Sequence, residues 1–388
     1  MQVKRTLEQH IAVFGESGSG KTVLLSSFYG PSQEPGFQEQ NLFALSADRF
    51  GQGTQLHQNY LGMRDSRRVP SANKFKSTTY EFSVRPKRAG DKRNPKVDPF
   101  DSLRLVWHDY PGEWFEQDVE GEEAQRRVDT FRALLTSDVA LLLVDAQRLV
   151  DNAGEEERYL KSLFANFRNG ITLLKDDILP DGQPLLDFPR IWMLGLSKSD
   201  LIPELDVFAF RDLVIGKAGD DLNMLRETIA TMVQSSDALS VGEDFVLLSS
   251  AKFTPEKIEL TERVGLDLIL PIAAMLPLER HAHWAASKQF LVSDKVVDNL
   301  LSGAAAIAGL LIGRRVNLPG RIGVAVDFLA SRLTKEHLNL AARLAGEKLK
   351  ELNAAAIARR DYLAAILTRF RMNLERGERD RVLLRSER

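Results

Sequence analysis

The segment Gly15-Glu16-Ser17-Gly18-Ser19-Gly20-Lys21-Thr22 constrains this chain more than any other. Before it stands a short apolar run, His10-Ile11-Ala12-Val13-Phe14, with the length of a buried strand; after it, residues 23–29 read as a helix. Strand, glycine-rich turn and helix in that order make a cradle for phosphate. Glycines let backbone N–H groups turn inward, and the start of the helix adds a partial positive charge. Every fixed position of G-x-x-x-x-G-K-[ST] is filled. Lys21 is therefore expected to reach the β- and γ-phosphates of a nucleotide, and the Thr22 hydroxyl to ligate Mg²⁺.

A second strand pattern, residues 102–108, ends in Asp109-Tyr110-Pro111-Gly112. A carboxylate at that strand end can hold Mg²⁺, and a glycine three residues on can turn its N–H toward a γ-phosphate and release it after hydrolysis. Glu113 follows, read either as a water-positioning residue or as a surface residue of that turn. A third apolar run, residues 191–196, leads into Ser197-Lys198-Ser199-Asp200. There an aspartate can accept two hydrogen bonds from guanine, N1–H and the 2-amino group, which adenine does not offer. The lysine stem lies along the base. Ser197 stands where asparagine is usual and makes fewer bracing bonds. A fourth run, residues 245–249, leads into Ser250-Ala251-Lys252, whose backbone N–H would meet guanine O6. Asp145, at the end of the strand at residues 139–144, is read as structural.

Together these residues resemble the TRAFAC class of P-loop GTPases over about residues 8–276. The resemblance implies a Ras-like α/β domain with a mostly parallel sheet, in which residues 79–84 form an antiparallel strand hairpinned to the Asp109 strand. It implies GTP as ligand and substrate, Mg²⁺ as cofactor, and a threonine, Thr78 or Thr79, that joins Thr22 and Asp109 on the metal. Thr79 is the first choice. Asp109-Tyr110-Pro111-Gly112-Glu113-Trp114 also resembles YcjX-like proteins and the related bacterial double-GTPase families, some of which are thought to act in stress or conflict systems. The loop at Gly15–Thr22 is similar to that of myosins, which use ATP, so an ATPase is the first rival reading.

Lys21 and Asp109 are 88 positions apart, about double the span in compact members of that class. Residues 31–76 are polar and are expected to be a long loop inserted in the switch I region. Arg64, Arg67 and Arg68 lie in it and are read as surface residues in preference to an internal arginine finger. After residue 276 the strand pattern stops, which divides the chain into a nucleotide domain, residues 1–276, and a helical domain, residues 277–388. The second part reads as an apolar helical hairpin at about 295–333, packed as a core, and a long amphipathic helix at about 335–372. His281 and His283 are taken as helix residues rather than metal ligands.

Charge and composition narrow the partners. Residues 301–388 carry 17 Lys/Arg against 9 Asp/Glu, which leaves 35 against 45 in residues 1–300. A basic tail beside an acidic front points to an acidic partner or to the tail folding back. The absence of cysteine excludes disulfides and thiolate sites and fits a cytoplasmic location. No secretory leader is expected, since no apolar stretch follows the basic start. The expected partner is a protein, met through the switch segments and the C-terminal helices, with a homodimer as one form. A membrane surface is less favoured, and nucleic acid is not expected. A module that binds nucleotide without turning it over, and a membrane-associated GTPase, are the remaining rivals.

Overall fold

The computed structural model describes residues 6–70, 78–87, 102–109, 121–179, 182–185, 191–234, 236, 239–253, 258–260, 262–287, 350–351, 353–354, 357 and 362–386. The expected hairpin at 295–333 lies outside these residues, as do Gly112, Glu113 and the first part of the amphipathic helix expected at 335–372.

Ten strands are labelled here in chain order: β1 (Thr6–Phe14), β2 (Phe43–Ala47), β3 (Thr78–Pro86), β4 (Ser102–Asp109), β5 (Val139–Asp145), β6 (Ile191–Ser197), β7 (Ser240–Leu248), β8 (Lys252–Phe253), β9 (Ile258–Glu259) and β10 (Leu383–Leu384). The helices are α1 (Lys21–Tyr29), α2 (Pro35–Gln40), α3 (Phe50–Ser66), α4 (Glu122–Leu135), α5 (Ala146–Asp151), α6 (Glu156–Leu173), α7 (Lys175–Ile178), α8 (Val207–Ala230), α9 (Ile269–Ser287) and α10 (Tyr362–Arg379). Eight strands form one sheet in the order β10-β7-β6-β5-β1-β4-β3-β2. The central run β7-β6-β5-β1-β4 is parallel, while β3 runs antiparallel to both β4 and β2. This is the mixed α/β sheet expected from the sequence, with the β3–β4 hairpin in place.

Every position of β5 and β6 is buried, as expected for parallel strands covered on both faces. On one face Phe14, Leu142, Trp192 and Phe245 pack with Phe131 of α4, Phe164 and Phe167 of α6 and Phe210 of α8. On the other face Val13, Leu141, Met193 and Val246 pack with Leu25 of α1, Ala273 of α9 and Phe370 of α10.

The structure departs from the sequence reading in two places. Residues 31–66 are not a loop: they form α2, the edge strand β2 and α3, whose buried positions Gly53, Leu56, Tyr60 and Met63 face the nucleotide domain. Close approach secures this insert at Gly30, where an added Cβ would lie 2.1 Å from the Tyr60 ring. Gly30→Ala is accordingly expected to destabilise the protein by about 1–3 kcal/mol, read as a lower urea midpoint. The second departure concerns the boundary at 276/277. It falls inside α9, which continues through a buried Pro277. Farther along, α10 packs on α9 and β10 pairs antiparallel with β7, so the C-terminal residues complete the nucleotide domain's own sheet.

Candidate functional site

The parallel strands β1, β4, β5, β6 and β7 all end on the same side of the sheet, and β3 begins there. In open α/β sheets that side is where ligands bind. Each sequence motif sits at one of these ends.

The phosphate loop leaves β1 with Gly18 and Gly20 at φ +82° and +86°, conformations open to glycine but costly for other residues. A side chain at Gly15 would meet Ser19 Oγ at 2.5 Å, so the loop is closed tightly on itself. Lys21 opens α1 and is buried; its ammonium donates to Gly15 O at 2.6 Å and Glu16 O at 3.0 Å. It is thereby aimed back across the mouth of the loop. Thr22 is the next residue on α1, and Ser17 and Ser19 lie within the loop.

Asp109 ends β4, 5% exposed, level with Val13 of β1 and with Thr78 of β3. Register separates the two candidate threonines. Directly paired residues share a face of a sheet and successive ones alternate. Thr78 therefore shares the Asp109 face. Thr79 is paired with His108 on the other face, where its Oγ1 lies 3.4 Å from His108 Nδ1. Of the two candidate threonines, Thr78 is the one on the Asp109 face, whereas Thr79, the first choice from the sequence, is on the His108 face. His108 Nε2 lies 3.0 Å from His10 Nδ1, and burial, with His10 next, lowers the His108 pKa to about 4. His108 is therefore neutral at physiological pH.

At the end of β6, Ser197 donates to Val144 O at 3.2 Å, and Lys198, in the left-handed region at φ +54°, reaches Asp145 at 2.7 Å. Asp200 lies in the short helical turn Ser199–Leu201. Its Oδ1 stands 2.6 Å from Ser249 Oγ, which is buried and also 2.9 Å from Ala251 O. That one hydroxyl links the Asp200 turn to the Ser250-Ala251-Lys252 segment that follows β7. Ala251 is buried against Tyr60 and Met63 of α3, whereas Lys252 is exposed and paired with Glu262 at 3.1 Å.

The structure thus brings Gly15 to Thr22, Asp109, Ser197 to Asp200 and Ser250 to Ala251 to one side of one sheet. It directs the Lys252 side chain into a surface ion pair. Of the insert arginines, Arg64 pairs with Glu34 at 2.6 Å and Asp65 at 2.7 Å, and Arg67 and Arg68 are exposed, in accord with a surface reading. His281 and His283 lie within α9, and no group of three or more His, Cys, Asp or Glu side chains placed to hold a metal occurs among the described residues.

Residues that the sequence did not single out also shape the site. Ser249 holds the turn at Asp200. Gln52 of α3 donates to Thr79 O at 2.9 Å, tying the insert to the start of β3. Arg148 of α5 approaches Glu16 of the phosphate loop at 3.4 Å. Tyr159 accepts from the Asp145 backbone N–H at 3.0 Å, and burial raises its pKa well above the usual tyrosine value, so it stays protonated. The serine was readable as a strand-end hydroxyl, but the other three contacts span elements that no local pattern joins.

The Double-GTPase 2 family model matches residues 9–179, from β1 through α7. No curated protein sequence matches the chain. Among solved structures, the signal recognition particle receptor SRb-GTP/SRX complex from Chaetomium thermophilum is similar at 15% identity, with 66% of this chain and 94% of that chain covered and a TM-score of 0.31. The cytosolic domain of L. pneumophila FeoB is similar at 13% identity over 89% of this chain and 98% of that one, with a TM-score of 0.22. Translation elongation factor SelB from Methanococcus maripaludis, in complex with the GTP analogue GppNHp, is similar at 13% identity over 64% of this chain and 31% of that one, also with a TM-score of 0.22. These likenesses are distant. The family match and the loop geometry agree: residues 9–179, which include the phosphate loop, are similar to the Double-GTPase 2 family.

Proposed function

We propose that this chain is a Mg²⁺-dependent GTP switch whose state passes to a partner protein through the insert and α10. The observation that carries the reading is the Asp200–Ser249 bond of 2.6 Å, which holds two base-reading segments together on the phosphate-loop side of the sheet. Asp200 accepts from the guanine N1–H and 2-amino groups, Lys198 lines the base, and the Ala251 backbone N–H meets O6. Lys21 exchanges its loop carbonyls for β- and γ-phosphate oxygens.

Thr22, Asp109 and Thr78 supply hydroxyl and carboxylate oxygen, the hard donors that Mg²⁺ takes. Mg²⁺ held there would supply positive charge against the negative charge that develops on the transferred phosphoryl group. Gly112 and Glu113 are assigned to the γ-phosphate contact and to orientation of the attacking water.

Transmission is supported by a continuous set of contacts. Gln52 holds Thr79 O, β2 of the same insert places Phe43 against Phe370 of α10 at 5.7 Å, and Arg369 donates to Gln40 O at 2.9 Å. A change at residues 78–79 therefore reaches the C-terminal helix through packed side chains. The partner is a protein, a second copy of the chain included. A stress or conflict setting in the bacterial cytoplasm rests on the family resemblance. Among the described residues no helix is long and apolar enough to cross a membrane.

The test is competition between GTP and ATP for the purified full chain with Mg²⁺, followed by phosphate release. Preferred binding and turnover of GTP are expected. Tight GTP binding with no phosphate release would leave only a nucleotide-binding module, and equal binding of ATP would replace the reading with an ATPase.

A further inference from the structure

Asp145 is 3% exposed at the end of β5, level with Ser197 of β6. One carboxylate oxygen accepts from the Gln147 backbone N–H at 3.0 Å and caps α5. The other takes the Lys198 ammonium at 2.7 Å. Lys198 passes close over the phosphate loop: its Cε lies 3.9 Å from the point a Gly20 Cβ would occupy. The β5–α5 turn thus grips the base-reading segment with Asp145 and approaches the phosphate loop with Arg148. Among the described residues, the Ser197 hydroxyl bonds only to Val144 O.

We propose that Asp145 is a positioning residue for base recognition, holding Lys198 along the path of the guanine and supplying the bracing that a serine at position 197 does not. A charge-assisted bond on a buried anchor is short and directional, so it fixes a long flexible side chain that would otherwise lose rotamer freedom on binding. The inference rests on the guanine reading above.

Competition of GTP and ATP, with Mg²⁺ and the full chain, is measured for the wild type, Asp145→Asn, Lys198→Met and the double variant. Asparagine keeps the size and the helix cap but removes the charge. Asp145→Asn is expected to lose roughly tenfold in GTP affinity, with ATP binding and melting temperature unchanged. It is expected to add little to Lys198→Met, since the lysine it holds is then gone. An unchanged GTP/ATP ratio in Asp145→Asn, or fully additive losses in the double variant, overturns the proposal. Should the asparagine variant not fold, Asp145→Ser, which also caps, takes its place; failure of both to fold makes Asp145 structural and overturns the proposal too. A wild type that binds GTP and ATP alike instead overturns the guanine reading itself, a result distinct from a selective wild type with an indifferent Asp145→Asn.

Discussion

Asp200→Ala is expected to erase the preference for GTP over ATP. The carboxylate is fixed from below by Ser249, whose hydroxyl lies 2.6 Å from Oδ1, so little freedom is lost when a base arrives. Two hydrogen bonds from a base to a charged acceptor are worth about 1.5–3 kcal/mol each. Their removal lowers GTP affinity on the order of 10²–10⁴-fold. ATP offers no donors in that position, so its affinity should not fall. Competition titration of both nucleotides with the variant checks this. Retained selectivity would move base recognition away from the turn at Ser199–Leu201 and leave that turn as a strand-end cap.

The second large effect concerns stability within β7, the strand that leads into Ser249. Asp244 of β7 is fully buried and meets Arg280 of α9, Ser240 Oγ at 3.2 Å and the Ser386 backbone N–H at 2.9 Å. Arg280→Met should cost about 3–5 kcal/mol, because it strands a buried carboxylate. Urea unfolding of the full chain reads the loss. The effect has a pH signature. Burial raises the Asp244 pKa above its ordinary value, and Arg280 lowers it. Without Arg280 the carboxyl rises further, so the folded form binds the proton more readily than the unfolded one. Its stabilising contribution is then present at low pH and lost as pH rises through the raised value. The deficit of Arg280→Met should therefore be largest at neutral pH and shrink in mild acid. A deficit independent of pH would mean that lost packing by the arginine stem, rather than the stranded charge, sets the cost.

The motifs were legible because each is local. The phosphate loop follows its strand directly, and alternation along residues 79–84 marks a half-buried strand. The insert was not legible, although Leu56, Tyr60 and Met63 fall at helical spacing. Three glutamines, one asparagine and three glycines dilute that stripe, and its burial comes from contact with α1 and the Ala251 segment rather than from its own apolar content. What Ser249 and Asp145 bind was beyond local reading for a different reason. Their partners lie 49 and 53 residues away, and only the parallel register of β5, β6 and β7 brings them together. The two-residue strand β10 is too short for any periodicity to reveal.

That short strand bears on synthesis. Leu383 pairs with Val246 and Leu384 with Phe245, so the outer edge of β7 waits for a segment made well over a hundred residues later. While residues 383–384 are unmade, that edge offers unpaired backbone. Open edges invite pairing with other chains. Until residues 383–384 pair with it, the outer edge of β7 is open to pairing with other backbone.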